Sequence, residues 1–168
     1  LKVASGAAPS FLLESVEGGA VRGRYSIIGL SPDLVFRVQG EQAEINRSAL
    51  TAPKAFAPCQ RPPLEALREL IAECRIDLPD GLPPPAAGLF GYLGYDMVRQ
   101  MERLPDVNPD PLGTPDALLI RPTVVIVFDS VKDQITIVTP VRPERGVTAK
   151  AALARAGDRL SSIVDRLD

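Results

Sequence analysis

The sequence predicts an α+β fold with a largely antiparallel sheet and packed helices. Three observations carry that expectation. Strand-like runs follow one another across short turns, an amphipathic helix sits between Pro-rich connectors, and a strongly apolar hairpin precedes a closing helix. The implied order is ββββ-α-β-α-ββ-α. Pro-rich connectors at 51–63, 79–85 and 105–115 divide the chain into four blocks. Proline removes a backbone donor and fixes φ, so these stretches resist helix interiors and central strands. No internal repeat is visible, and residues 1–168 read as one domain, long enough to bury about 68–70% of its unfolded surface.

The first block is β. A strand at 11–16, Phe-Leu-Leu-Glu-Ser-Val, leads through the turn Glu17-Gly18-Gly19 to a second strand near 25–29. Runs at 34–39 and 42–46 form a hairpin across Gly40-Glu41. In the first strand a two-residue period sets Phe11, Leu13 and Ser15 on one face and Leu12, Glu14 and Val16 on the other. If Leu13 faces a core, Ser15 follows it inward, and an unpaired hydroxyl there would cost ~1–3 kcal/mol.

The helix at 64–75 is marked by Leu64, Leu67, Leu70, Ile71 and Cys74 at three- and four-residue spacing. Pro62 and Pro63 suit its entry, and Glu65 lies in the first turn, where the helix dipole favours an acid. At 86–95 three glycines, Gly88, Gly91 and Gly94, would each cost a helix ~1 kcal/mol, so a strand is expected. Their spacing suits a bulge or close approach by another backbone. Asp96 then caps a short helix at 97–104, with Val98, Met101 and Leu104 or Leu93 on one side. The last block holds a hairpin, 123–128 and 134–141, joined through 129–133. A helix at 148–167 closes it, striped by Leu153, Ala156, Leu160, Ile163 or Val164, and Leu167.

Composition excludes several function classes. A net charge of −2 argues against a polyanion partner such as nucleic acid. The strongest apolar run, 124–128, is far short of the ~20 residues needed to cross a bilayer. No secretory pattern opens the sequence, and cytoplasmic residence is expected. Leu1 in place of methionine and the helix-like end at Asp168 suggest a piece of a longer protein. The absence of histidine removes Ser-His-Asp and Cys-His nucleophile schemes and His-based metal sites. No compact Asp/Glu cluster suggests a metal site either. Cys59 and Cys74 read as reduced structural thiols.

Two segments carry possible chemistry. Glu14 and Ser15 end an apolar strand, so they could meet the ammonium and carboxylate of a small zwitterion, or simply belong to a turn. The glycines at 88, 91 and 94 match neither the dinucleotide fingerprint nor a P-loop, which leaves packing as their role. Arg22, Arg24 and Arg37 could guide an anion but read better as a solvated rim. Asp158, Arg159, Asp165 and Arg166 read as the exposed face of the last helix.

Leu12-Leu13-Glu14-Ser15, Arg24-Tyr25-Ser26-Ile27-Ile28-Gly29 and the run Gly88 to Asp96, GLFGYLGYD, together resemble the N-terminal region of the anthranilate synthase large subunit. The match is strongest at 11–39 and 86–104. The resemblance implies a pocket for the feedback inhibitor L-tryptophan, with Ser15 in contact, Glu14 beside it, and Tyr25 and Ser26 on the neighbouring wall. It also implies a parent enzyme that binds chorismate and Mg²⁺ in a C-terminal part. Ammonia from a glutamine amidotransferase subunit adds to chorismate there, giving anthranilate and pyruvate. This piece would itself carry no catalytic residues, no metal and no cofactor. Alternatives are the related folate-branch enzyme, aminodeoxychorismate synthase component I, a freestanding amino-acid-binding module, and a bare interaction domain.

Overall fold

The structure is a computed structural model that describes residues 9–15, 23–105 and 109–167. Its strands are β1 (Phe11–Leu13), β2 (Tyr25–Gln39), β3 (Gln42–Asn46), β4 (Ala57–Pro58), β5 (Phe90–Leu93), β6 (Ala117–Asp129) and β7 (Gln134–Val138). The helices are α1 (Pro63–Cys74) and α2 (Ala149–Leu167), with short 3-10 turns at Pro84–Ala86 and Tyr95–Gln100. The seven strands follow the order β4-β3-β2-β6-β5, with β1 added to β2 and β7 to β6. The pairings of β1, β3, β4, β5 and β7 with their neighbours are antiparallel. This is the α+β class that the element order predicts.

The chain divides into two compact units. The first comprises residues up to Pro32, Ile76–Gly88 and Pro122–Asp168; the second comprises Asp33–Arg75 and Leu89–Arg121. In the first, Ile28 and Leu30 of β2, Val124 and Ile126 of β6 and Ile163 of α2 form the core, with Phe128 and Ile137 packed on it. Thr148 accepts a hydrogen bond at Oγ1 from Ala151 N, 3.2 Å, and so caps α2 at its predicted start. In the second, Leu34, Phe36 and Val38 of β2 pack on Leu67, Leu70 and Cys74 of α1 and on Met97 and Ala117. Pro63 is the first residue of α1, where its missing N–H costs nothing.

Several expected boundaries are corrected. The predicted strands near 25–29 and at 34–39 are one strand, β2, and the strand expected from 123 begins at Ala117. Ser31-Pro32 and Arg121-Pro122 read as breaks because a proline cannot donate to a ladder. Ser130 N donates to Arg24 O in the first unit, and Asp116 N donates to Val38 O in the second. Pro32 and Pro122 each lie inside a continuous strand. Neither residue has an N–H to give, and the chain continues through the gap in both strands. The Ser31 carbonyl accepts from Thr123 Oγ1 at 2.7 Å instead.

Gly40 has φ +56° as the first residue of the β2–β3 turn, as a two-residue hairpin with glycine leading requires. β4, inside the first Pro-rich connector, was hidden because Pro58 is one of its two residues. β5 is shorter than the expected 86–95 strand, and β7 ends at Val138 rather than 141. The predicted helix at 97–104 is a 3-10 turn without a side-chain cap. Asp96 accepts instead from Arg99, 2.9 Å, and only Met97 is buried there, with Met101 and Leu104 exposed. Ile71 of α1 lies outward while Ala66 and Pro63 are buried, and Leu153, Val164 and Leu167 of α2 are exposed.

Candidate functional site

Phe11 pairs with Gly29, Leu12 with Ile28 and Leu13 with Ile27. A Cβ at Gly29 would lie 2.1 Å from Phe11 Cε1, so any side chain there would have to displace the Phe11 ring. The ring of Phe11 therefore occupies the space over Gly29 and seats β1 in this register. Glu14 and Ser15 follow directly, both exposed and outside the strand. Carried past Leu13, the register leads Glu14 toward Ser26 and Ser15 toward Tyr25, which are half-buried at the start of β2. Val16, the turn at 17–19 and Arg22 lie outside the described residues.

The condition set for Ser15, that Leu13 faces a core, is not met. Leu12 is 45% and Leu13 49% exposed, so neither face of β1 enters a core, and Ser15 is not carried inward. Among the described residues, Glu14 and Ser15 have no hydrogen-bond or ion-pair partner. Both side chains are open to solvent. An acid, a hydroxyl and two exposed leucines thus share one strand end, beside a tyrosine and a serine on the next.

The start of β2 is stiffened by an ion pair. Arg24 donates from Nε and Nη2 to both oxygens of Asp129, 2.9 and 2.6 Å, and its guanidinium lies 4.9 Å from the centre of the Tyr25 ring. Asp129 also accepts from the backbone N–H of Val131 and Lys132, each at 3.1 Å. The Arg24 hydrogen bonds, helped by those two amides against the effect of burial, hold the Asp129 carboxyl down at about 2. Arg24 is therefore committed, which corrects its reading as a solvated rim cation. Arg37 likewise pairs with Glu44, 2.7 Å, and stacks over Phe56. Arg159, expected on the exposed face of α2, donates to Thr139 Oγ1 at 3.0 Å.

The glycine-rich segment serves packing, as expected. A Cβ at Gly91 would fall 1.9 Å from the Leu118 carbonyl oxygen, so β5 lies closer to β6 than a side chain permits. Sequence reasoning missed the half-buried pair in which Arg121 donates to both oxygens of Asp33, 2.8 and 3.0 Å, and to Cys74 Sγ at 3.4 Å. The two residues are far apart in sequence, and only the β2–β6 register brings them together. It also missed Asn46, fully buried, whose Nδ2 donates to Ala52 O at 2.8 Å and whose Oδ1 accepts from Ser48 N at 2.8 Å. The Asn-x-Ser spacing, with its affinity for side-chain-closed turns, was a readable signal for that loop. Among the described residues no three Asp, Glu or Cys side chains converge to hold a metal ion. No helix among them is long and apolar enough to cross a membrane.

No family model matches the chain. Anthranilate synthase component 1 of Cereibacter sphaeroides is 52% identical over 168 residues, covering 100% of this chain and 34% of the relative. The protein of the same name from Thermus thermophilus is 42% identical over 161 residues, 95% of this chain and 32% of its own length. In Pseudomonas aeruginosa the figures are 40% over 160 residues. A crystal structure of anthranilate synthase component I from Streptococcus pneumoniae superposes with a TM-score of 0.64, at 22% identity, over 95% of this chain and 32% of that one. The last likeness supports the fold. The chain is thus similar along its whole length to anthranilate synthase component 1, and it spans about a third of the length of these relatives.

Proposed function

We propose that this chain is the N-terminal, tryptophan-sensing portion of anthranilate synthase component 1. The parent would convert chorismate and ammonia, supplied by a glutamine amidotransferase subunit, to anthranilate and pyruvate. Identity of 52% to a protein of that name, along the whole chain, is the observation that carries the reading. The chemistry, the chorismate site and Mg²⁺ belong to the remaining two thirds of such a protein. These 168 residues alone, with no histidine, would be inactive.

The regulatory role rests on the end of β1. Glu14 would accept from the ligand ammonium and Ser15 would donate to its carboxylate. Tyr25 and Ser26 would wall the side, and Leu12 or Leu13 would meet the apolar ring. A charge-assisted bond to Glu14 would contribute about 1.5–3 kcal/mol. Inhibition further requires tryptophan to bind one state of the parent more tightly than the other, with a coupling of about 1–3 kcal/mol.

The test is steady-state anthranilate formation by the intact parent carrying Ser15→Phe, assayed with ammonia across a tryptophan series. The expected result is turnover near the unsubstituted rate with inhibition relieved by tenfold or more, on the order of the coupling above. An unchanged inhibition curve would remove Ser15 from the inhibitor site.

A further inference from the structure

The second unit contains a cavity of about 320 Å³ between α1 and the segment that follows β4. That volume lies at the lower end of the ~300–1,000 Å³ range of small-molecule pockets. Ala66, Glu69, Leu70 and Glu73 recur at three- and four-residue spacing, so one side of α1 forms a wall. Phe36 and Ile45 line the cavity from the sheet, and Cys59 and Arg61 line it from the connecting segment. Its apolar lining includes the buried Phe36, Ala66 and Leu70. None of these residues belongs to the end of β1.

The charged groups at the mouth differ in how firmly they are engaged. Arg47 donates to both oxygens of Glu73. Arg61 instead stands 3.6 Å from Glu69 and 3.9 Å from Glu65, too far for well-formed hydrogen bonds. Arg61 and Glu69 are 62% and 66% exposed. Exposed pairs of this kind contribute little, so a ligand can part them at small cost.

We propose that this cavity binds a small zwitterion with an apolar side chain, an amino acid of about phenylalanine size. Its carboxylate takes the donors of Arg61, its ammonium takes Glu69, and its side chain lies against Ile45 and Leu70. A lone anion would leave Glu69 without a cation, and a lone cation would leave Arg61 without an anion. Only a ligand carrying both charges replaces the pair it separates.

Cys59 is a built-in reporter, half-buried in the cavity wall, with the buried Cys74 as an internal control. The experiment measures alkylation of Cys59 in the 168-residue protein with L-phenylalanine, 3-phenylpropionate or phenethylamine present. At twice its dissociation constant L-phenylalanine should slow alkylation about threefold, and the two half-ligands should protect less. Arg61→Gln and Glu69→Gln should each abolish protection; both side chains are exposed, and circular dichroism checks the fold. Ser15→Phe should leave protection intact, which separates this site from the one at β1. Absence of protection at ~50 mM L-phenylalanine would overturn the proposal, as would equal protection by either half-ligand. Protection that persists in both charge variants, or disappears in Ser15→Phe, would overturn it as well.

Discussion

Asp129 carries the clearest consequence at the scale of a single residue. Its carboxyl is held at about 2 by Arg24 and by two backbone amides, below its ordinary value of 3.8. A carboxylate whose folded-state pKa is depressed stabilises the fold above its unfolded value, and that stabilisation is lost as pH falls through the folded value. Denaturant melts of the protein should therefore lose stability between about pH 4 and pH 2, and Asp129→Asn should flatten that part of the profile. Glycines give a second test. Gly91→Ala drives a Cβ into the Leu118 carbonyl, a backbone atom that cannot swing aside, so a loss of about 3 kcal/mol or more is expected in urea unfolding. Gly29→Ala meets the movable ring of Phe11 instead. Faster hydrogen exchange at the β1 amides, with α1 unchanged, is the expected result there.

At the scale of elements, the α1 stripe separates packing from exposure. Leu70→Ala should cost about 2–5 kcal/mol by thermal or chemical unfolding, while Ile71→Ser should change stability by less than about 0.5 kcal/mol. Leu70 is buried in the second unit's core, and Ile71 is 56% exposed. Spacing alone put both on one face, because a stripe read in steps of three and four has a width that only the packed partner decides. The same limit explains β2 and β6. Their alternation was visible on either side of Pro32 and Pro122, but no local pattern shows that a strand runs on through a proline. The hairpin at Gly40-Glu41, the capped start of α2 and the proline entry to α1 were legible because turn and cap chemistry is local. The site divides in the same way. The acid and hydroxyl at the end of β1 stood out in the sequence. The exposure of both leucines, and the commitment of Arg24 to Asp129, depended on which faces the rest of the fold covers.

At the scale of the whole molecule, two kinds of surface stand out. The end of β1 exposes leucines beside solvated polar groups, and the β5 segment exposes Tyr92, Leu93 and Tyr95. The anthranilate synthase component 1 proteins that this chain resembles are about three times its length. On the proposed function, the inhibitor pocket is completed by that additional length, and the isolated chain binds tryptophan more weakly than the intact parent. Calorimetric titration of both should give at least a tenfold difference in affinity, about 1.4 kcal/mol. Equal affinities would describe an autonomous binding module instead. The central claim, that the β1 end makes the inhibitor contacts, is tested most directly by titrating L-tryptophan into the intact parent with Glu14→Gln. The account predicts binding weakened by about tenfold or more, from loss of the charge-assisted bond to the ligand ammonium. Unaltered affinity would contradict it.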